Sequence, residues 1–314
     1  MVRESFHYDD GLPSSPTGRV PQWVRDSAAG RQVEPEPWRA WSPAGASAAR
    51  RSRSRLRRLM PALAVGALAV GVFWQLDPDL GAARYAAPGA EDGFPSPGVD
   101  AADAPLGAPI AAPRGGGTHG YLDVQPETGR PVAYDPCRPI HYVVRPDSAP
   151  VGGDALLRES FDRVTRITGL QFVYDGPTDE QPSRDRAAFQ PDRYGDRWAP
   201  VLITWETAEK NTELVRNAGL AGSTSMGLPG GPRVYVTGAV VLDAADFEEM
   251  LTVPGGWELA RAVVLHEVGH LVGLDHVSDP TQLMYPEAGL ARDFAAGDLT
   301  GLVQLGQGEC APDL

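Results

Sequence analysis

Three of the six histidines in this 314-residue chain fall in the stretch HEVGHLVGLDH, His266 to His276. Upstream, WELARAVVL lacks Pro and Gly, follows the breaker PGG, and predicts a helix from about Trp257. On a helix His266 and His270 lie one turn apart on one face, so both imidazoles reach a single metal ion. Glu267 sits beside them, near enough to touch a water on that ion but not placed as a ligand. This is the H-E-x-x-H arrangement, two zinc ligands and a general base. If the helix ran on, His276 would lie about 9 Å along the axis from His270. That is too far for a shared ion whose bonds to nitrogen are about 2.0–2.1 Å. The helix must therefore stop. Gly273 is where it can, because glycine takes positive φ without steric penalty. Three histidine ligands leave a fourth position for water, the mark of catalytic rather than structural zinc. From average residue usage, five fixed positions match by chance with odds on the order of 10⁻⁵ in a chain of this size.

Such a site needs a scaffold. PIHYVV (139–144) reads as a strand. GGDALLRESFDRVTRITG reads as a helix, with Asp154 as N-cap, an apolar stripe of Leu157, Phe161, Val164 and Ile167, and Gly169 as the stop. LQFVYD is a second strand, residues 176–197 a polar surface loop, and PVLITWE (200–206) a third strand. RVYVTGAVVLD (233–243) holds one or two more. After the zinc helix, GDLTGLVQL marks a last helix. The pattern predicts an α+β (α/β-like) domain, a sheet packed with helices and a metal at its rim.

Charge divides the chain. Residues 1–58 contain 11 Arg and 6 acids, residues 59–76 carry no charge, and residues 77–314 hold 17 basic and 35 acidic residues. So acidic a second half argues against a nucleic-acid partner. Residues 1–58 are rich in Pro, Ser, Arg and Ala and read as a disordered basic tail. LMPALAVGALAVGVFWQL (59–76) is just long enough to span a bilayer, and the six arginines between Arg50 and Arg58 keep its leading end in the cytoplasm. The expectation is a single-pass anchor in the cell membrane with the C-terminal domain (118–314) outside. A cleaved signal peptide, with GAA at 81–83 as its processing site, makes the alternative a secreted protein. Of the 41 residues in 77–117, 26 are Pro, Gly or Ala, which reads as a flexible stalk.

The extended zinc motif resembles the metzincin metalloproteases. QLMYP (282–286) resembles their Met-turn, with Met284 beneath the zinc, and LMYP together with DLTGLVQLG resembles the matrixin branch, the group of the matrix metalloproteinases. The resemblance spans roughly residues 121–308. It implies a zinc endopeptidase with a five-stranded, twisted, mostly parallel sheet, one catalytic zinc at a cleft, and a protein or peptide substrate bound extended along an edge strand. GLAG (Gly219, Leu220, Ala221, Gly222) falls where matrixins have that strand, although a plain turn fits as well. Tyr285 becomes a pocket-wall residue, with Pro286 where other metzincins place a fifth ligand. Calcium, which matrixins often bind, has candidate ligands in Asp243, Asp246, Glu248 and Glu249; a solvated acidic loop is the plainer reading.

The chain departs from the family in its other residues. Matrix metalloproteinases hold a structural zinc through further histidines. Here His7 is on the tail, His119 at the stalk end, and His141 reads as an ordinary strand residue, so that second zinc is not expected. No thiol switch motif is present. Cys137 and Cys310 are the only cysteines, and both fall on the expected outer side, where two thiols usually pair. A free Cys137 that caps the zinc, or two separate thiols, stay open. The expected function is a membrane-anchored, outward-facing zinc endopeptidase with Glu267 as general base. The alternative is a non-catalytic zinc-stabilised peptide-binding or adhesion ectodomain.

Overall fold

The computed structural model describes residues 94–227, 231–287 and 289–314. The expected tail (1–58), apolar span (59–76) and first part of the stalk (77–93) lie outside the described residues. Among the described residues no helix is long and apolar enough to cross a membrane.

In chain order the elements are β1 (Gly120–Tyr121), β2 (Ala133–Tyr134), β3 (Ile140–Arg145), α1 (Gly153–Thr168), β4 (Phe172–Pro177), α2 (Pro191–Tyr194), β5 (Val201–Glu206), a 3-10 turn (Thr212–Val215), β6 (Gly219–Met226), β7 (Val234–Asp243), α3 (Ala244–Leu251), α4 (Gly256–Val272), β8 (Leu274–Asp275) and α5 (Ala296–Leu305). Strands β4, β3, β5 and β7 lie side by side and parallel, and β2 pairs parallel with the start of β7. β6 runs antiparallel along β7, from Gly219 opposite Leu242 to Met226 opposite Val234, and among the described residues pairs with no other strand. Among the described residues the sheet therefore has six strands rather than five. The sixth, β2, is two residues long and leaves no periodicity in the sequence.

One face of the sheet meets two helices. Tyr142, Val144, Val201, Ile203, Trp205, Val240 and Leu242 form a single core with Leu156, Phe161 and Val164 of α1 and Val264, Val268 and Leu271 of α4. Val143 and Leu202 are buried outside that core. β5 is buried along its whole length, Thr204 and Glu206 included, as befits a strand with a parallel neighbour on each side.

Residues 176–197 lie largely at the surface, as expected, but part of their polar content turns inward. Arg186 forms a buried ion pair with Glu180 (2.8 Å), and its guanidinium also donates to Thr237 on β7 and to the Pro200 carbonyl. Part of the loop's polar composition thus serves an internal network, while Asp179, Arg184 and Arg193 pair in the open. α1 begins one residue before Asp154. Gly152, with φ 91°, is its N-cap, and Asp154 sits in the first turn, where a carboxylate faces the positive end of the helix. Gly169 ends α1 as expected.

The second half of the stalk departs from expectation. Phe94 stands edge-on to Trp198 (centroids 5.3 Å apart), and Ala102, Leu106 and Ile110 donate their backbone N–H groups to the Cys137, Pro136 and Ile167 carbonyls. A Pro-rich segment forms no core of its own. Laid extended along a domain, it satisfies its donors on the domain's carbonyls.

Candidate metal centre

Helix α4 runs through the core: 14 of its 17 residues are buried, among them His266, Glu267 and His270. His266 donates from Nδ1 to the Leu283 carbonyl (2.7 Å), and His270 donates from Nδ1 to the Leu274 carbonyl (2.8 Å). A carbonyl only accepts, so the proton of each neutral ring sits on Nδ1 and the Nε2 lone pair is left for a metal.

The third histidine arrives as the spacing requires. α4 stops at Gly273, whose φ is 120°, and a Cβ there would lie 3.0 Å from Leu305 Cδ2 and 3.3 Å from the Val132 carbonyl. The chain then turns into β8. β8 pairs antiparallel with β1, Gly120 opposite Asp275 and Tyr121 opposite Leu274, and Leu122 N–H donates to the Gly273 carbonyl. This ladder fixes the segment that delivers His276.

The three Nε2 atoms converge, with separations of 3.1 Å (His266–His270), 3.0 Å (His270–His276) and 3.2 Å (His266–His276). Lone pairs held this close repel unless a cation lies between them. A triangle of this size has its centre about 1.8 Å from each corner, so a point about 2.0–2.1 Å from all three nitrogens lies about 1 Å off its plane. That is a zinc–nitrogen bond length and a pyramidal ligand set. The residues fit the ion.

Against Gly269 of the zinc helix sits Met284, 1% exposed. A Cβ on Gly269 would lie 2.7 Å from Met284 Sδ, so the glycine in the middle of the motif is what admits the methionine. The turn around Met284 also carries the Leu283 carbonyl that orients His266. It is held by Asp298 on α5, whose carboxylate accepts from the Leu283 (2.7 Å), Met284 (3.3 Å) and Ala295 (2.9 Å) N–H groups. Burial pushes the Asp298 carboxyl up and these bonds pull it back only in part, so it stays above its ordinary value. Gly269, Asp298, Leu122 and the two carbonyls are not singled out by the sequence. The signals available were a glycine inside a helix and an acid at the head of the last helix.

Of the remaining candidates, Gly219, Leu220, Ala221 and Gly222 are the first half of β6, a strand and not a turn. Tyr285 and Pro286 are half-buried after Met284. Cys137 and Cys310 form a disulfide, with Cα atoms 5.4 Å apart, which removes the zinc-capping thiol from consideration. The acidic loop is instead a helix: Asp243 is the N-cap of α3 and accepts from Ala245 and Asp246, and Glu249 is buried. Among the described residues these acids form no group of metal ligands, whereas His266, His270 and His276 do. His141 lies on β3 and bonds Asp175 (2.8 Å).

Residues 197–304 match the family model for matrixin. The chain holds a matrixin-like metzincin catalytic domain. The matched stretch of the matrixin-like domain contains the three histidines, Glu267, Met284 and most of α5, while β1 to β4 and α1 lie before it. Matrixin domains support zinc metalloendopeptidase activity in general, with zinc at the three-histidine site and proteins or peptides as substrates. No curated protein matches the chain.

Proposed function

We propose that this protein is a zinc-dependent endopeptidase in which Glu267 is the general base. The observation that carries the reading is the convergence of three Nε2 atoms within 3.2 Å, beside a buried carboxylate and an edge strand. His266, His270 and His276 would hold the ion. Zinc there supplies Lewis-acid chemistry, polarising the scissile carbonyl and making water a nucleophile near neutral pH. Glu267 takes the proton from the attacking water and gives it to the leaving amine. The open edge of β6 offers N–H and C=O groups to an extended peptide, and Leu220 with Ala221 lines it. Tyr285 and Pro286 wall the side-chain pocket.

The test separates chemistry from metal binding. Glu267→Ala should keep zinc and fold while peptide hydrolysis drops by about 10²–10⁴-fold. His270→Ala should lose the zinc itself. Zinc content and turnover of purified residues 94–314 decide it. Turnover by Glu267→Ala at the wild-type rate removes Glu267 as the base. A zinc-loaded wild type that cleaves nothing in a broad peptide library favours the binding-module alternative.

We further propose that residues 59–76 anchor the protein in the membrane with the catalytic domain outside. The support is the run of 18 uncharged residues directly after six arginines.

A further inference from the structure

The two glycines of the GLAG stretch meet different surroundings. A Cβ on Gly222 would meet nothing within 4 Å. A Cβ on Gly219 would lie 2.6 Å from Glu267 Cγ, 2.9 Å from Cδ and 3.0 Å from Oε1. Both Gly219 and Glu267 are buried. We infer that Gly219 is a positioning residue for Glu267: the side chain it lacks is the space in which the carboxylate stands. The inference rests on the proposed function, in which that carboxylate is the base. It also divides the stretch, since only Gly222 keeps open room beside the strand.

The strand cannot simply retreat to admit a side chain. Four residues on, Ser223 Oγ donates to the Leu271 carbonyl of α4 (2.6 Å). The serine's one proton is used there, so the Tyr134 hydroxyl is the donor in its 2.6 Å contact with Ser223 Oγ. Gly238 on β7 brings the sheet close at the same place, because a Cβ there would lie 2.7 Å from Leu271 Cδ1 and 2.8 Å from Ser223 Oγ. β6 is thus latched to the helix that carries Glu267. Gly219 is not among the positive-φ glycines, so alanine fits its backbone. What an added methyl meets is the glutamate, whose end is the movable partner.

Gly219→Ala should therefore turn the carboxylate while β6 stays in place. In a crystal structure of the variant, the Glu267 side chain should take a new rotamer with the β6 backbone unmoved. Zinc content should equal wild type. kcat should fall about ten- to a hundredfold with KM within about twofold, the scale of a misplaced catalytic group. In a Glu267→Ala background, Gly219→Ala should cause no further loss. A variant structure in which β6 recedes and Glu267 stays put overturns the inference, as does wild-type kcat or an equal loss in both backgrounds. If Glu267→Ala alone leaves turnover intact, the proposed base falls, and the variant structure still reports independently on what occupies the space beside Gly219.

Discussion

Leu283 and Leu274 contribute backbone carbonyls to the metal centre, and those two acceptors decide which nitrogen of His266 and of His270 turns to the shared centre. The same holds at Asp298, which binds the backbone of the turn that supplies one of the carbonyls. Its folded-state pKa lies above the ordinary 3.8, so the protonated form favours the fold. That stabilisation is complete below the unfolded value and is lost as pH rises through the folded one. Compared with Asp298→Asn, which does not titrate, wild type should lose relative stability as pH rises from below the ordinary carboxylate value through the raised folded-state one. Denaturant unfolding of the zinc-free domain across that range measures it. A difference that stays constant with pH contradicts the assignment. Acid should still strip the metal, because imidazoles must be neutral to bind it.

At the level of elements, the zinc helix delivers two ligands and a two-residue ladder delivers the third. β8 is too short to hold itself in place, and its partner β1 comes from more than 150 residues earlier in the chain. Leu122→Pro removes the N–H that reaches the Gly273 carbonyl and should loosen the His276 segment. Zinc affinity should fall by about 10–100-fold, the usual weight of groups that orient metal ligands. Competition with a chelator of known affinity reads the change, and an unaltered affinity shows that Gly273 alone sets the turn.

In the molecule as a whole, the chain is tied to itself at the end of the sheet. The disulfide closes a separation of 173 residues. In the chain-entropy account such a loop stabilises by about 5 kcal/mol. Asp135 reinforces the same junction by accepting from both Cys137 and Ala311. The 94–117 strap passes over it, with Ala102 bonded to the Cys137 carbonyl. A bond of this kind suits an oxidising compartment, in keeping with the proposed outward orientation. Protease added to intact cells should then remove the catalytic domain and leave the basic tail protected. A domain that resists, or that is soluble from the earliest time point, counts against the anchor.

The ligand set was legible in the sequence because its constraints are local. Helical periodicity brings His266 and His270 together, and bond lengths force a stop near Gly273. The helices α1, α4 and α5 and the strands β3, β5 and β7 were legible for the same reason, each carrying a period, a breaker or an apolar run. Helix α3 was not, because a short acidic segment reads equally as a loop until Asp243 is seen capping it. Nor was the docking of residues 94–117, whose bonds to Pro136, Cys137 and Ile167 reach distant parts of the chain. Contacts across the fold made the remaining decisions. They set the glycines at 219 and 269 against the glutamate and the methionine they make room for, and Asp298 beneath the Met284 turn. They also bring β1 beside β8. No spacing in the sequence encodes which backbone will approach a side chain from elsewhere in the chain; packing alone determines that.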